Sequence, residues 1–272
     1  MRLTMRSAVA AIRETLFPPS CPTCGNETGV ARTLCSACWR DMGFLDGRGC
    51  RHCSRPIPGL APDDPEPVCE DCLRHPPAWA RGRAAFRYEG PGRRLVLGLK
   101  HGDRLDTVPM LGSWLLRAGR ELVDDAELIA PVPLHWTRRL KRRANQSAEL
   151  ARWLSRAAGK REAYAPRLLL RGRRTESQDG KDRAGRIANV AGALSLGPDA
   201  RGIGGRRVLL IDDVLTTGAT LNAAARLCRH GGARAVDVLV LALVVRDELP
   251  YLPRAIEDEA SDRNARAHAE AG

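Results

Sequence analysis

Eight of the nine cysteines fall into four C-x-x-C pairs within 52 residues: Cys21/Cys24, Cys35/Cys38, Cys50/Cys53 and Cys69/Cys72. A two-residue gap lets both thiolates of one tight turn reach the same ion, and two such knuckles complete a tetrahedral site. A single pair would say little; four in tandem predict two structural Zn²⁺ sites of the zinc-ribbon kind. The expected pairing follows sequence order, Cys21/Cys24/Cys35/Cys38 and then Cys50/Cys53/Cys69/Cys72, although spacing alone also allows interleaving. A disulfide framework would need an exported chain. The N-terminal MRLTMRSAVAAIRETLF has only a short apolar patch, interrupted by Arg6, Arg13 and Glu14, so no secretory signal is expected. His52 and His75 lie near the ligands and could substitute in principle, but with four cysteines available per site they read as bystanders. Cys228 sits at helical spacing with Leu221 and Ala225 and reads as an inert core residue.

HPPAWARG reads as a proline-rich linker, and past it the cysteines stop and strands alternate with helices. AAFRYEG, LIAPVP, RLLLR, VAGALSL, RRVLLIDD and AVDVLVLALVV read as strands. RRLVLGLKHG, VPMLGSWLLRAGREL, ANQSAELARWLSRAAG and GATLNAAARLCRHGG read as helices. Unbroken apolar strands between helices predict an α/β fold with a doubly wound, mostly parallel sheet. The expected division is an N-terminal amphipathic helix over 1–19, with Met5, Val9, Ile12 and Leu16 on one face, and a double ribbon over 20–76. The sheet domain follows over 84–246 and a disordered acidic tail over 247–272.

The net charge of +12 is uneven, because residues 247–272 hold seven acids against three arginines. A basic body suggests a polyanionic partner, though an arginine-rich surface serving only solubility would give the same count. No run of about 18 apolar residues exists, so membrane insertion is not expected and a cytoplasmic location is.

The stretch RVLLIDDVLTTGAT, residues 207–220, carries the chemistry. In an open parallel sheet, ligands bind beyond the carboxyl ends of the strands. VLLI delivers Asp212 and Asp213 to that edge, where two carboxylates can accept hydrogen bonds from vicinal hydroxyls or approach a hydrated Mg²⁺. Then Gly218 permits a turn with converging N–H groups, Thr216, Thr217 and Thr220 add hydroxyls, and a helix N-terminus follows. That set cradles a phosphate. A plain strand–turn–helix with one aspartate as N-cap would explain only one of the two acids.

This stretch closely resembles the phosphoribosyl-pyrophosphate (PRPP) signature of type I phosphoribosyltransferases. The resemblance makes Asp212 and Asp213 the ribose-hydroxyl ligands and the candidate catalytic acids. It places Val214, Leu215, Thr216, Thr217, Gly218, Ala219 and Thr220 in the 5′-phosphate loop, with Mg²⁺ accompanying PRPP. An acid at the position of Thr216, typical of 6-oxopurine salvage members, is missing. APVPLHWTRRLKRRANQSAEL further resembles the ComF (competence protein F) family. That likeness implies a diphosphate loop at Pro133 and Leu134 with Arg138 beside it. Arg138, Arg139, Lys141, Arg142 and Arg143 are candidates for diphosphate or a nucleic-acid backbone, or a solvated basic face. Ala144 stands where the family carries an aromatic, and His101 in LKHGD where it carries tyrosine. Thr175, Gln178, Arg183, Arg186, Asn189 and Val190 resemble the family's segment that closes over PRPP. The tandem knuckles also fit ComF proteins.

Three functions follow from the resemblance. The first is cytoplasmic handling of single-stranded DNA in natural transformation, with a competence helicase as partner. The second is an active Mg-PRPP-dependent phosphoribosyltransferase of nucleotide metabolism, and the third a PRPP sensor without turnover. A glutamine-dependent amidotransferase is not expected, because Met1 opens a helix and Cys21 goes to zinc. Base stacking on a protein normally uses aromatic residues, and Trp39 and Trp79 are the ones that flank the ribbons.

Overall fold

The computed structural model describes residues 18–45, 47, 49–60, 67–101, 104–133, 145–172 and 194–245. In the cysteine-rich part, α1 (Ser36–Arg40) and α2 (Glu70–Arg74) start directly after Cys35 and Cys69. The second cysteine of each pair, Cys38 and Cys72, therefore lies in the first helical turn. Next come β1 (Arg81–Arg87), α3 (Gly90–His101), α4 (Val108–Ala118) and α5 (Arg120–Asp125). They are followed by β2 (Leu128–Pro131), α6 (Gln146–Ala157), β3 (Leu169–Arg171) and β4 (Leu194–Leu196). The chain continues through β5 (Arg207–Leu215), α7 (Ala219–His230) and β6 (Ala235–Leu243).

Four strands form one parallel sheet in the order β1-β6-β5-β2. The two central strands are the most apolar because both of their faces are covered. On one face Leu209, Ile211, Leu239 and Leu241 pack against α3, α4 and α6 through Leu99, Leu111, Leu115, Leu150 and Leu154. On the other face Val208, Leu210, Val238 and Val240 pack against α7 through Leu221, Ala224, Ala225 and Cys228. Each such aliphatic side chain contributes about 1.5–3 kcal/mol by leaving water. The fold is thus the doubly wound α/β architecture expected. At the amino ends of the strands, the fully buried Asp237 accepts from Arg81 (2.7 Å) and Arg207 (3.0 Å), which compensates its charge.

Three readings of the sequence need correction. RLLLR and VAGALSL supply β3 and β4, which pair antiparallel as a separate two-stranded ribbon rather than joining the parallel sheet. The expected helix VPMLGSWLLRAGREL is two helices, because Gly119 leaves the helical region at φ −129°. β5 does not stop at Asp213. It runs on to Leu215 because β6 stays paired with it, Val214 opposite Ala242 and Leu215 opposite Leu243.

The stretch HPPAWARG is packed into the fold. Trp79 is buried in the core, and Ala80 N–H donates to the Val236 carbonyl (2.7 Å). The cysteine-rich part lies along the outer side of β1. Leu45 N–H donates to the Ala85 carbonyl (3.0 Å), Arg87 N–H to Gly43 (2.8 Å) and Gly82 N–H to Arg51 (2.8 Å). The Ser54 hydroxyl accepts from Ala84 N–H (3.0 Å). Gly82 is required there, since a Cβ would lie 2.1 Å from the His52 carbonyl oxygen. No helix among the described residues is long and apolar enough to cross a membrane.

Candidate ligand site and metal clusters

The site is built where the two neighbours of β5 part company. β2 pairs with β5 only as far as Pro131 opposite Ile211, whereas β6 follows β5 four residues further. Proline suits the last rung of an edge strand, having no N–H to leave unpaired. Asp212 is therefore the first residue of β5 without a β2 neighbour. Val132 N–H still donates to the Ile211 carbonyl (2.9 Å), and Pro133 follows directly.

The notch beyond β2 is closed by the start of α6. Asn145 caps that helix, its Oδ1 accepting from Ser147 N–H (3.2 Å), while its Nδ2 donates to the Val132 carbonyl (3.4 Å). Ser147 Oγ then donates to Asp212 Oδ1 (3.1 Å), which also accepts from the Asp213 N–H (2.9 Å). Asp213 is served from the other direction. Lys100 Nζ, at the end of α3, lies 2.8 Å from its Oδ1, and both side chains are largely buried. The adjacent aspartates are thus divided between two helices. Burial first, and then the charge of Asp213, push the Asp212 carboxyl up to about 7; the hydrogen bonds from Asp213 N–H and Ser147 and the Lys100 charge act against that rise.

Past Leu215 the chain turns through exposed Thr216 and Thr217. Gly218 lies in the left-handed region at φ 72°, directly before α7, as an L-residue would not without strain. Thr217 Oγ1 accepts from Ala219 N–H (3.4 Å). The turn is braced from beneath: a Cβ on Gly218 would lie 2.9 Å from the Trp79 ring, and Asn222 Oδ1 accepts from Ala78 N–H (2.7 Å). Trp79 Nε1 donates to the His52 carbonyl (2.7 Å). The turn before α7 and the third cysteine knuckle therefore touch the same tryptophan.

The structure brings Asp212, Asp213, the Val214–Thr220 segment and the end of β2 to one edge of the sheet. Leu134, Arg138, Arg139, Lys141, Arg142, Arg143 and Ala144 lie outside the described residues, as do the segment bearing Thr175 to Val190, residues 1–17 and the tail. Ser147 and Lys100 were missed by sequence reasoning. Their signals were present, a serine just inside a helix and a lysine closing an apolar helix, but each is ordinary in isolation.

The cysteines gather in sequence order into Cys21/Cys24/Cys35/Cys38 and Cys50/Cys53/Cys69/Cys72, with all sulfurs of a cluster within 4.8 Å of one another. None is in a disulfide. The Cys24–Cys35 and Cys53–Cys69 sulfur separations are 3.6 and 3.7 Å. A tetrahedral ion with Zn–S of about 2.3 Å has edges of about 3.8 Å, so both clusters fit Zn²⁺. Without a cation four thiolates cannot share this space: the Cys53 thiol is pushed up to about 12, first by its hydrogen bond with Cys50. Cys228 is fully buried and pushed up to about 12 by that burial, as an unreactive core thiol should be.

Two family models match the chain, a double zinc ribbon domain over residues 12–73 and a phosphoribosyl transferase domain over residues 120–260. Competence protein F of Haemophilus influenzae is 29% identical over 82% of this chain and 96% of its own. The DNA utilization protein YhgH of Salmonella typhimurium is 30% identical over 76% of this chain and 96% of its own. The chain belongs to the ComF family. A shorter likeness, 55% identity over 56 residues, links it to an adenine phosphoribosyltransferase of Rhodococcus jostii and covers 19% of this chain and 32% of that one. Membership accounts for the pairing of ribbon and sheet in one ComF chain. It also explains why a phosphoribosyltransferase fold carries cysteine knuckles on its edge strand.

Proposed function

We propose that this ComF-family protein binds PRPP, or a related ribose 5-phosphate, together with Mg²⁺ at the end of β5, and that it handles single-stranded DNA during DNA uptake. One observation carries the ligand reading. Two carboxylates, separately held by Ser147 and Lys100, precede by six and five residues a left-handed Gly218 turn at a helix N-terminus. The carboxylates suit the ribose hydroxyls and the phosphate suits the turn. Asp212 and Asp213 offer the hard oxygen ligands that Mg²⁺ prefers, and bound Mg²⁺ would neutralise diphosphate charge. Lys100 and the basic run from Arg138 to Arg143 supply further positive charge. The names of the two relatives support the DNA part of this reading, and so does the net charge of +12.

Calorimetric titration of the zinc-loaded protein with PRPP–Mg²⁺ tests the site. Binding is expected in the wild type and strongly weakened in Asp212→Ala/Asp213→Ala. No affinity in the wild type, or the same affinity in the double variant, sinks the assignment. Following diphosphate release with bases, ammonia or single-stranded DNA separates a transferase from a protein that only senses the ligand.

A further inference from the structure

Aromatic residues make up only 4% of the chain, yet four of them meet at one place. Trp39 and Phe44 come from the cysteine-rich part, Phe86 from β1 and Trp114 from α4. Ring centroids are 4.9 Å apart for Trp39–Phe44, 5.9 Å for Trp39–Trp114, 5.1 Å for Phe44–Trp114 and 6.2 Å for Phe86–Trp114. Phe86 is fully buried and anchors the group, but Trp39 is 50% exposed and Phe44 37%. The contacts of Trp114 are edge-to-face. Such packing satisfies ring edges against ring faces without stacking a partner on every face. Trp39, Phe44 and Trp114 line an open groove of about 370 Å³ together with Leu45 and Arg117. That volume falls in the range of about 300–1,000 Å³ typical of small-molecule pockets. Arg117 is exposed and forms no ion pair among the described residues.

We propose that this groove, at the seam between ribbon and sheet, is a stacking site for the bases of a single-stranded nucleic acid. The proposal rests on the single-strand reading above and gives that reading a place on the molecule. Among the described residues, the exposed aromatics Trp39 and Phe44 lie in one groove with the guanidinium of Arg117. Bases stack on exposed aromatic faces whatever their identity, and an arginine at the rim meets either the phosphate or the base face. An aliphatic peptide would gain from the rings but nothing from Arg117 or from a net charge of +12. The groove lies against β1, at the opposite edge of the sheet from β2 and the Asp212 notch. A strand held there leaves the ribose-phosphate site open, so the two ligands bind independently.

The test uses full-length, zinc-loaded protein and fluorescence anisotropy with labelled oligodeoxythymidine and an abasic strand of equal length. The wild type should bind the oligodeoxythymidine more tightly than the abasic strand, and PRPP–Mg²⁺ should not displace it. Trp39→Leu keeps apolar bulk but removes the stacking face. It should weaken oligodeoxythymidine binding about tenfold while leaving abasic binding unchanged. If Trp39→Leu loses zinc, Arg117→Gln on α4 decides in its place, with a smaller loss expected. Equal binding of both strands, displacement by PRPP, or an unchanged affinity in both variants overturns the groove while leaving the single-strand reading intact; in that case the groove fits a protein partner. No binding of either strand by the wild type overturns both.

Discussion

β1 and β2 are the two edge strands of one sheet, and the chain covers their outer sides to different extents, β1 along most of its length and β2 around Ile129, whose carbonyl accepts from Ala165 N–H (2.9 Å). β1 spans seven residues and its outer N–H and carbonyl groups are taken by residues 43–54. β2 spans four, ends in a proline, and leaves Asp212 facing a gap that Ser147 only partly fills. An exposed strand edge invites pairing with another chain. The covered edge is thus a stability device, and the shortened edge is where a ligand can enter. The difference also teaches what the cysteines do for the sheet. Their knuckles have few buried apolar residues of their own, chiefly Leu34 and Met42, so metal must supply their order. What they return is a cover for β1 and, through His52 and Trp79, a floor under the Gly218 turn.

The largest expected effect comes from removing that cover. Structural Zn²⁺ contributes on the order of 10 kcal/mol per site in small zinc modules. A strong chelator should unfold the region from Cys21 to Cys72 while the parallel sheet keeps its amide protection. The bared β1 edge should then drive concentration-dependent association, visible by light scattering. Hydrogen exchange that shows both regions unfolding together would break the distinction between covered and covering parts. A milder version is Gly82→Ala. Its Cβ meets a backbone carbonyl at 2.1 Å and the Val238 side chain at 3.0 Å, so the knuckle must move off β1. Overpacking of this kind costs about 1–3 kcal/mol. Thermal unfolding should record that loss, with both clusters still able to bind zinc. An unchanged melting temperature would mean the contact between knuckle and strand carries no stability.

Much of the architecture was legible because its cause is local. Strands buried on both faces read as unbroken apolar runs, and C-x-x-C spacing defines a knuckle without help from the rest of the chain. What was hidden depends on partners distant in sequence. β5 passes Asp213 because β6 keeps pairing with it, and nothing in VLLIDD announces that partner. Ser147 reaches Asp212 from 65 residues away. The strands RLLLR and VAGALSL had the right composition for the main sheet, but composition does not say which sheet a strand joins. HPPAWARG has the residues of a linker, and only the pocket beneath Gly218 turns Trp79 into a core residue.

A third test acts where the two edges communicate. Gly218→Ala forces an L-residue into the left-handed region, at about 1–2 kcal/mol, and pushes its methyl toward Trp79. The cost should appear as lost stability and as weaker PRPP–Mg²⁺ binding together. Trp79→Phe keeps a ring under the turn but removes the donor to His52. It should loosen the Gly218 turn less than it loosens the third knuckle. Equal losses of zinc and ligand affinity in both variants would show that the tryptophan does not distinguish its two neighbours.

The smallest effect concerns the open edge alone and turns on the sign of a titration. Asp212 in the folded protein is pushed up to about 7 from an ordinary value of 3.8, so between those values the native state holds a proton that the unfolded chain has released. Its stabilising contribution is therefore complete below about pH 3.8 and is lost as the pH rises through about 7. Asp212→Asn keeps an acceptor for Ser147 and carries no charge. Relative to wild type it should gain stability between pH 5 and pH 8, by about 1 kcal/mol, because it removes the charge that burial and the neighbouring carboxylate penalise. PRPP–Mg²⁺ should act the other way on the wild type: a cation favours the ionised carboxyl, so affinity should climb over the same interval, and the variant should lose both the climb and most of the affinity. A wild type whose stability is flat from pH 5 to 8 would mean that Asp212 is ionised throughout, with Lys100 and Ser147 sufficient to hold both charges at the notch.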